Sequence, residues 1–286
     1  MLFHEFLASA LTLWTTLVAG QQTSGQVRPP ERPTSETPTP ETPTPETPTS
    51  ETPTSGPATT RPAAPAADPA AVSDEVPFAF PAQQAVNYRV TYSGEPTGTV
   101  RVQWRPVEGK PERLLEGTFD YSGRGRRLIS STETWLDPGL HPLRMKQTIN
   151  SFASPGLAGG RQVSCTFTEG AATTQFSDLS KGQTQTKEHL IEGEVFVLER
   201  QAFEHWVVVA ALLARRGSPS LQLFEPSGGE MLKIQFNRQA PADTDPPGTS
   251  RWYFHHTTFA ASLWVTPDGQ LVKYQQDDTE FVRVEP

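Results

Sequence analysis

Apolar residues recur at every second position through most of the chain after residue 85, the spacing that gives a strand one buried face. In "TGTVRVQW" (97–104), Val100, Val102 and Trp104 point one way and Thr99, Arg101 and Gln103 the other. With "VNYRVTY" (86–92) this run flanks the turn-rich "SGEPTG" and predicts a hairpin. "RLLEGTFDY" and "RRLISSTETW" follow, joined through "SGRG", and "LHPLRMKQTIN" alternates Leu143, Met145, Gln147 and Ile149 against Arg144, Lys146 and Thr148. "RQVSCTFTEGAATTQFSD" predicts a further hairpin about Glu169-Gly170, and Pro267-Asp268-Gly269 predicts a turn between "ASLWVT" and "QLVKYQQ". With "LQLFEP", "EMLKIQF", "RWYFHHT" and "EFVRVE" these make more than ten short strands, which imply an antiparallel sheet large enough to curl.

One stretch breaks the period. "FEHWVVVAALLARR" (203–216) places Phe203, Trp206, Val207, Ala210, Leu213 and Ala214 at helical spacing. Val208, Val209, Ala211 and Leu212 make it apolar on its other sides too, with polar residues only at its ends. A helix apolar all round belongs in a core. At ~1.5 Å per residue it is also too short for a bilayer. The expected fold is therefore mainly β: a large curved antiparallel sheet, a half-barrel, wrapping one apolar helix.

Composition sets the boundaries of that fold. From Gln21 to Pro77 there is no Phe, Trp or Tyr, and 13 of the 28 prolines lie between Pro29 and Pro69, so this stretch cannot bury enough to order itself. Within it, "SETPTPETPTPETPTSETPTS" (35–55) repeats a five-residue unit with Glu at 36, 41, 46 and 51, which favours an extended, proline-stiffened spacer. Before it, "MLFHEFLASALTLWTTLVAGQQ" has the apolar run and small residues of a secretory signal, although its first residues carry Glu5 and no Lys or Arg. The expected division is a signal peptide at 1–20, a disordered Pro/Thr-rich linker at 21–77 and a β-rich half-barrel domain at 78–286. The product is expected to be exported, to the periplasm, cell envelope or exterior.

Charge and cysteine narrow the chemistry. Of the net charge of −8, residues 1–75 contribute −6 (three Arg, nine acids) and residues 76–286 contribute −2 (21 basic, 23 acidic). A near-neutral domain without a basic stripe is not expected to bind nucleic acid. Cys165 is the only cysteine and shares a strand face with Val163 and Phe167, so a buried small hydrophobe is expected rather than a disulfide or a reactive thiol.

The order of these features, with "VNYRVTYSGEPTGTVRVQW", "W-L-D-P-x-L-x-P" (Trp135 to Pro142) and "L-W-V-x-P-D-G-x-L-V" (Leu263 to Val272), resembles a bacterial exported envelope family of unknown function. That family's curved half-barrel is related to the Lol lipoprotein carriers. The resemblance spans roughly residues 85–286 and implies helical cover over an apolar concavity, outside the cytoplasm. It brings no catalytic residues with it.

Local chemistry is sparse. His255 and His256 are adjacent on a strand and point to opposite faces, so they do not form a metal pair. Glu204-His205 diverge around a helix, where Glu204 suits the N-terminal end. Arg124, Arg126 and Arg127 cluster at a hairpin tip, and no G-x-S-x-G elbow, phosphate loop or dinucleotide fingerprint occurs. No catalytic residue, metal or cofactor is expected, and the chain is not expected to be an enzyme. The expected function is non-catalytic binding of an apolar or amphipathic molecule, such as a lipid, in the concavity of the curved sheet, with Trp135, Met145, Trp252, Phe254 and Trp264 as candidate lining residues and alternation not telling which face is concave. The alternative is a structural or assembly protein with a filled core that contacts an envelope protein partner at a strand edge.

Overall fold

The computed structural model describes residues 85–284, apart from 124, 154, 155, 218, 219 and 258. The expected signal peptide (1–20) and linker (21–77) lie outside the described residues.

Eight strands run first as a meander: β1 (Ala85–Tyr92), β2 (Glu95–Pro106), β3 (Arg113–Gly123), β4 (Arg126–Leu136), β5 (Pro142–Ala153), β6 (Gly156–Thr168), β7 (Ala171–Asp178) and β8 (Gln183–Leu190). The short β9 (Phe196–Val197) and the helix α1 (Glu204–Arg216) follow. A second meander closes the chain: β10 (Ser220–Glu225), β11 (Glu230–Arg238), β12 (Ser250–His255), β13 (Ala260–Val265), β14 (Leu271–Gln276) and β15 (Thr279–Val284). Among the described residues these form one 15-stranded open sheet, β8-β7-β6-β5-β4-β3-β2-β1-β15-β14-β13-β12-β11-β10-β9. Every described pairing is antiparallel except β9 with β10.

Three local departures from the sequence reading have plain causes. The first hairpin turns over two residues, Ser93 (φ 50°) and Gly94 (φ 84°), so pairing resumes at Glu95 instead of after "SGEPTG". Two successive left-handed residues match the twist of the flanking strands. β8, "QTQTKEHL", is polar on both faces and exposed except at His189, so apolar alternation could not reveal it. It lies at one end of the sheet, where a strand has only one neighbour to pack on. The third departure is at the start of α1, where Glu204 and His205 are buried rather than solvated ends.

α1 fills the concave side between β1–β3 and β11–β15. Val208, Val209, Ala210, Ala211, Leu212 and Leu213 are each 1 % exposed or less. Phe203 stacks on Phe281 at 4.4 Å between ring centroids and meets Tyr88 edge-on at 4.8 Å. Trp206 lies 5.3 Å from Phe254 and 5.0 Å from Tyr274. The helix stops at Gly217 (φ 54°), whose N–H donates to the Leu213 carbonyl at 3.2 Å. The Pro267-Asp268-Gly269 turn presses on the helix: Gly269 has φ 84°, and a Cβ there would lie 3.0 Å from the Ala211 Cα. That close approach is why the "P-D-G" motif ends in glycine.

The two ends of the sheet curl towards each other and meet through side chains. Phe224 of β10 lies edge-on to Phe167 of β6, at 5.9 Å and 89°, and 5.3 Å from the ring of His189 on β8. The result is a barrel-like wall whose last seam is made by packing rather than by a ladder of backbone hydrogen bonds.

Candidate functional site

The structure divides the five candidate lining residues among three places. Trp252 and Phe254 belong to the core around α1, where Phe254 is fully buried between Trp206 and Phe236. Met145 is buried in a separate apolar cluster. Trp135 and Trp264 lie on the opposite, convex face. The Trp135 ring is half-buried, with the Arg144 guanidinium 4.1 Å from its centroid. Trp264 alternates with Leu263 and so faces away from the helix; it is buried because the segment around Asp245 covers it, its Nε1–H donating to Asp245 Oδ1 at 2.7 Å. The five therefore do not form one site. Large apolar residues occur on both faces of this sheet, and alternation alone does not separate them.

Met145 marks the part of the concave face that α1 leaves. Met145, Val163, Cys165 and Ala172 from β5–β7 pack against Ile191, Val195, Val197 and Phe224, with Phe167 and Phe176 half-buried at the margin. The cover comes from residues 191–203, which hold only the two strand residues of β9. Cys165 sits inside this cluster, accepting a hydrogen bond from the Thr174 hydroxyl at 3.6 Å. Burial pushes its thiol up to about 12, so it stays protonated and inert at neutral pH.

Between the two apolar clusters lies a band of buried polar groups gathered by α1, β4–β6 and β10. The Glu199 N–H donates to His205 Nδ1 at 2.9 Å, which places the proton of a neutral imidazole on Nε2, 2.9 Å from Thr134 Oγ1. Burial holds the His205 imidazolium down at about 3, so the ring is neutral across the physiological range. With Nδ1 engaged and Nε2 donating, His205 cannot take a proton from Thr134. Glu199 accepts from the Arg200 N–H (2.9 Å) and the Ser227 N–H (2.8 Å), yet burial and then the Glu225 charge raise it to about 7. Glu204 is likewise raised to about 7 by burial, against opposing help from its own N–H and the Thr132 hydroxyl. Gly117 on β3 makes room for this carboxyl: a Cβ there would overlap Glu204 Oε2.

Several atoms in this band have no hydrogen-bond partner. Arg200 Nε lies 2.5 Å from Glu225 Oε1 as an ion pair, without an aligned hydrogen bond. Arg161 Nε and Nη2, Gln147 Oε1, Gln201 Oε1 and Glu204 Oε1 are out of contact with solvent and unbonded. Gln147 also donates to the Arg200 carbonyl at 2.8 Å. Buried polar atoms are nearly always satisfied, and of these Gln147 and Arg161 stand close together on the concave face, on the neighbouring strands β5 and β6.

None of these residues was among the candidate lining residues, and Glu204-His205 was read as two diverging helix neighbours, yet parity carried a signal. Gln147 interrupts the apolar face of Met145 and Ile149, and Arg161 precedes Val163, Cys165 and Phe167 on theirs. A polar residue in an apolar register is the informative kind. The other motifs lead elsewhere. Arg127 is bound to Asp120 by two hydrogen bonds of 2.9 and 2.5 Å, and Arg124 lies outside the described residues. The His256 N–H donates to the Phe259 carbonyl at 2.7 Å in a turn, and His255 is exposed at the end of β12. Among the described residues, no group of three or more His, Cys, Asp or Glu is placed to hold a metal ion. Among the same residues, no helix is long and apolar enough to cross a membrane.

These features define a mainly-β, barrel-like protein with a buried aromatic core. No family model matches the chain, and no curated protein matches it in sequence. Among solved structures it is similar to a beta-barrel-like protein of the domain of unknown function DUF1849 from Brucella abortus. The identity is 12 %, the TM-score 0.47, and the match covers 70 % of this chain and 95 % of that one. It is also similar to a DUF1089 family protein from Pseudomonas aeruginosa, at 11 % identity and a TM-score of 0.33, covering 62 % and 89 % of the two chains. At these scores the likenesses carry no functional weight, and neither links the chain to the Lol carriers.

Proposed function

We propose that the chain is a non-catalytic exported envelope protein that binds an apolar or amphipathic, lipid-like molecule on the concave face of its sheet. The observation behind this reading is the second apolar cluster. It lies on the concave face away from α1, is covered by the largely irregular 191–203 segment and by Phe224 of β10, and has half-buried aromatic rings, Phe167 and Phe176, at its margin. An apolar guest there gains about 25 cal/mol for each Å² it removes from water. The ligand site thus moves from Trp252 and Phe254, which pack on α1, to the surroundings of Met145. Localisation outside the cytoplasm rests on the signal-like leader and on the family resemblance.

The test is native mass spectrometry and solvent extraction of the full chain purified after secretion, followed by titration with an environment-sensitive apolar dye. Co-purifying lipid, or dye binding weakened by Phe167→Ser or Phe176→Ser in a chain that still folds, supports the reading. A ligand-free protein that ignores the dye overturns it.

A second reading, as an assembly protein, draws on β8. Its outer edge pairs with no strand among the described residues, and Leu190 at its end is 85 % exposed. Such an edge can accept a strand from an envelope partner. Loss of partner cross-linking on Thr186→Pro, with dye binding unchanged, would separate the two readings.

A further inference from the structure

We propose that the concave-face site takes an anionic amphiphile, a long apolar chain ending in a carboxylate or phosphate that Arg161 receives. This rests on the function proposed above and names the chemistry of the head group.

Arg161 stands on β6 with its side chain on the same face as Val163, Cys165 and Phe167, so the guanidinium and the second apolar cluster are continuous along one strand. Its Nε and Nη2 are shielded from water and have no partner. The acids around it are committed elsewhere. Asp178, opposite Arg161 in the β6–β7 register, turns its carboxylate to the backbone N–H groups of Ser180 and Lys181, at 2.9 and 3.2 Å. Glu199 is held by the N–H groups of Arg200 and Ser227, and Glu225 is paired with Arg200. Glu199 and Glu225 act on Arg161 through space, without a bond to it.

A guanidinium offers parallel N–H donors that match two oxygens of one carboxylate or phosphate. Gln147 sits diagonally across from Arg161, since Gln147 pairs with Val163 and Ile149 with Arg161. Its unbonded Oε1 suits a protonated head-group oxygen or a hydroxyl beside the acid. The chain of such a molecule would run from Arg161 along Val163 and Phe167 towards Phe224, the direction in which the cluster extends.

The experiment compares four probes on the full chain, all below their micellar concentrations: dodecanoate, dodecyl phosphate, dodecanol and dodecyltrimethylammonium. Affinities are read by calorimetry. The unmodified chain is expected to bind the two anions about tenfold or more tightly than dodecanol, the worth of a buried charge-assisted hydrogen bond. Arg161→Met is expected to remove that preference, and Arg161→Lys to keep part of it. The stronger of the two anions tells a carboxylate-headed source from a phosphate-headed one. Equal affinity for dodecanol and dodecanoate in the unmodified chain overturns the head-group assignment and leaves apolar binding standing. Failure of all four probes overturns both. An anion preference that survives in folded Arg161→Met overturns the role of Arg161, and if that variant does not fold, the unmodified chain and Arg161→Lys decide.

Discussion

Glu204→Gln tests whether the polar band is as dry as its geometry implies. Glu204 is fully buried at the first turn of α1, with one carboxyl oxygen unbonded, and its pKa is raised from 4.5 to about 7. A carboxyl that is harder to ionise in the folded state than in the unfolded one favours folding while protonated. Its penalty begins as pH rises past 4.5 and is complete once pH passes about 7. At about 1.4 kcal/mol per pH unit, that interval corresponds to a loss of up to about 3 kcal/mol between pH 4.5 and pH 8. Gln keeps the shape and cannot ionise. Denaturant unfolding of both chains at pH 4.5 and pH 8 should therefore find Glu204→Gln close to the parent at the lower pH and up to about 3 kcal/mol more stable at the higher. Glu199 and Glu225 titrate in the same direction in both chains, so the difference between the chains reports Glu204 together with its repulsion by the Glu199 carboxylate. An equal loss of stability in Glu204→Gln at both pH values would refute the reasoning. It would mean that the carboxylate is ionised and holds the helix by a bond that the amide cannot make.

Three other outcomes follow from the packing around α1 and on the two faces of the sheet. Gly117→Ala should cost about 1–3 kcal/mol, because its Cβ overlaps the Glu204 carboxyl, and most of that cost should vanish in a Glu204→Ala background when a double-mutant cycle is measured by denaturation. At the far end of α1, His141 bridges Asp137 (2.9 Å) and Glu194 (2.6 Å), and Glu194 pairs with Arg216. His141 is raised to about 9, chiefly by the Asp137 hydrogen bond, and Glu194 is lowered to about 2, chiefly by Arg216. The His141 contribution is whole below pH 6.5 and lost through 9; the Glu194 contribution is whole above 4.5 and lost through 2. Hydrogen exchange at the last turn of α1 should thus be slowest, relative to His141→Gln, between pH 4.5 and 6.5. Finally, Phe254→Ala should cost about 3–5 kcal/mol of stability and Trp135→Ala far less, since Phe254 is fully buried and Trp135 sits half-exposed on the convex face. Near-equal costs in thermal unfolding would contradict that assignment of faces.

Most of the strands and the single helix were legible because burial on one face of a sheet writes itself as alternation, and burial on every side of a helix writes itself as an unbroken apolar run. β8 was not legible, since an edge strand with polar residues on both faces leaves no such mark. The face of Trp264, a candidate lining residue, was not legible for a related reason: a loop anchored by Asp245 buries the convex face there, so both faces are apolar. The "W-L-D-P-x-L-x-P" motif was noticed as a pattern, but its meaning is tertiary. Asp137 and His141 hold a turn whose histidine reaches Glu194, 53 residues further along. The polar band was the least visible feature. It is assembled from Gln147, Arg161, Glu199, Glu204 and Glu225, which no local pattern ties together until the sheet curls.

The middle of the sheet is joined by the two strands that lie furthest apart in the described chain, β1 and β15, paired from Asn87 with Val284 to Tyr92 with Thr279. Each meander can form its hairpins from near neighbours, but the seam between the two meanders closes a loop of almost the whole domain. Such a closure comes late and is slow, because the entropy of bringing distant segments together is lost before their contacts form. A chain synthesised N-terminus first would therefore hold β1 with an open edge until Phe281 had emerged. During that interval the residues that later enclose α1 would be exposed to aggregation and open to chaperones.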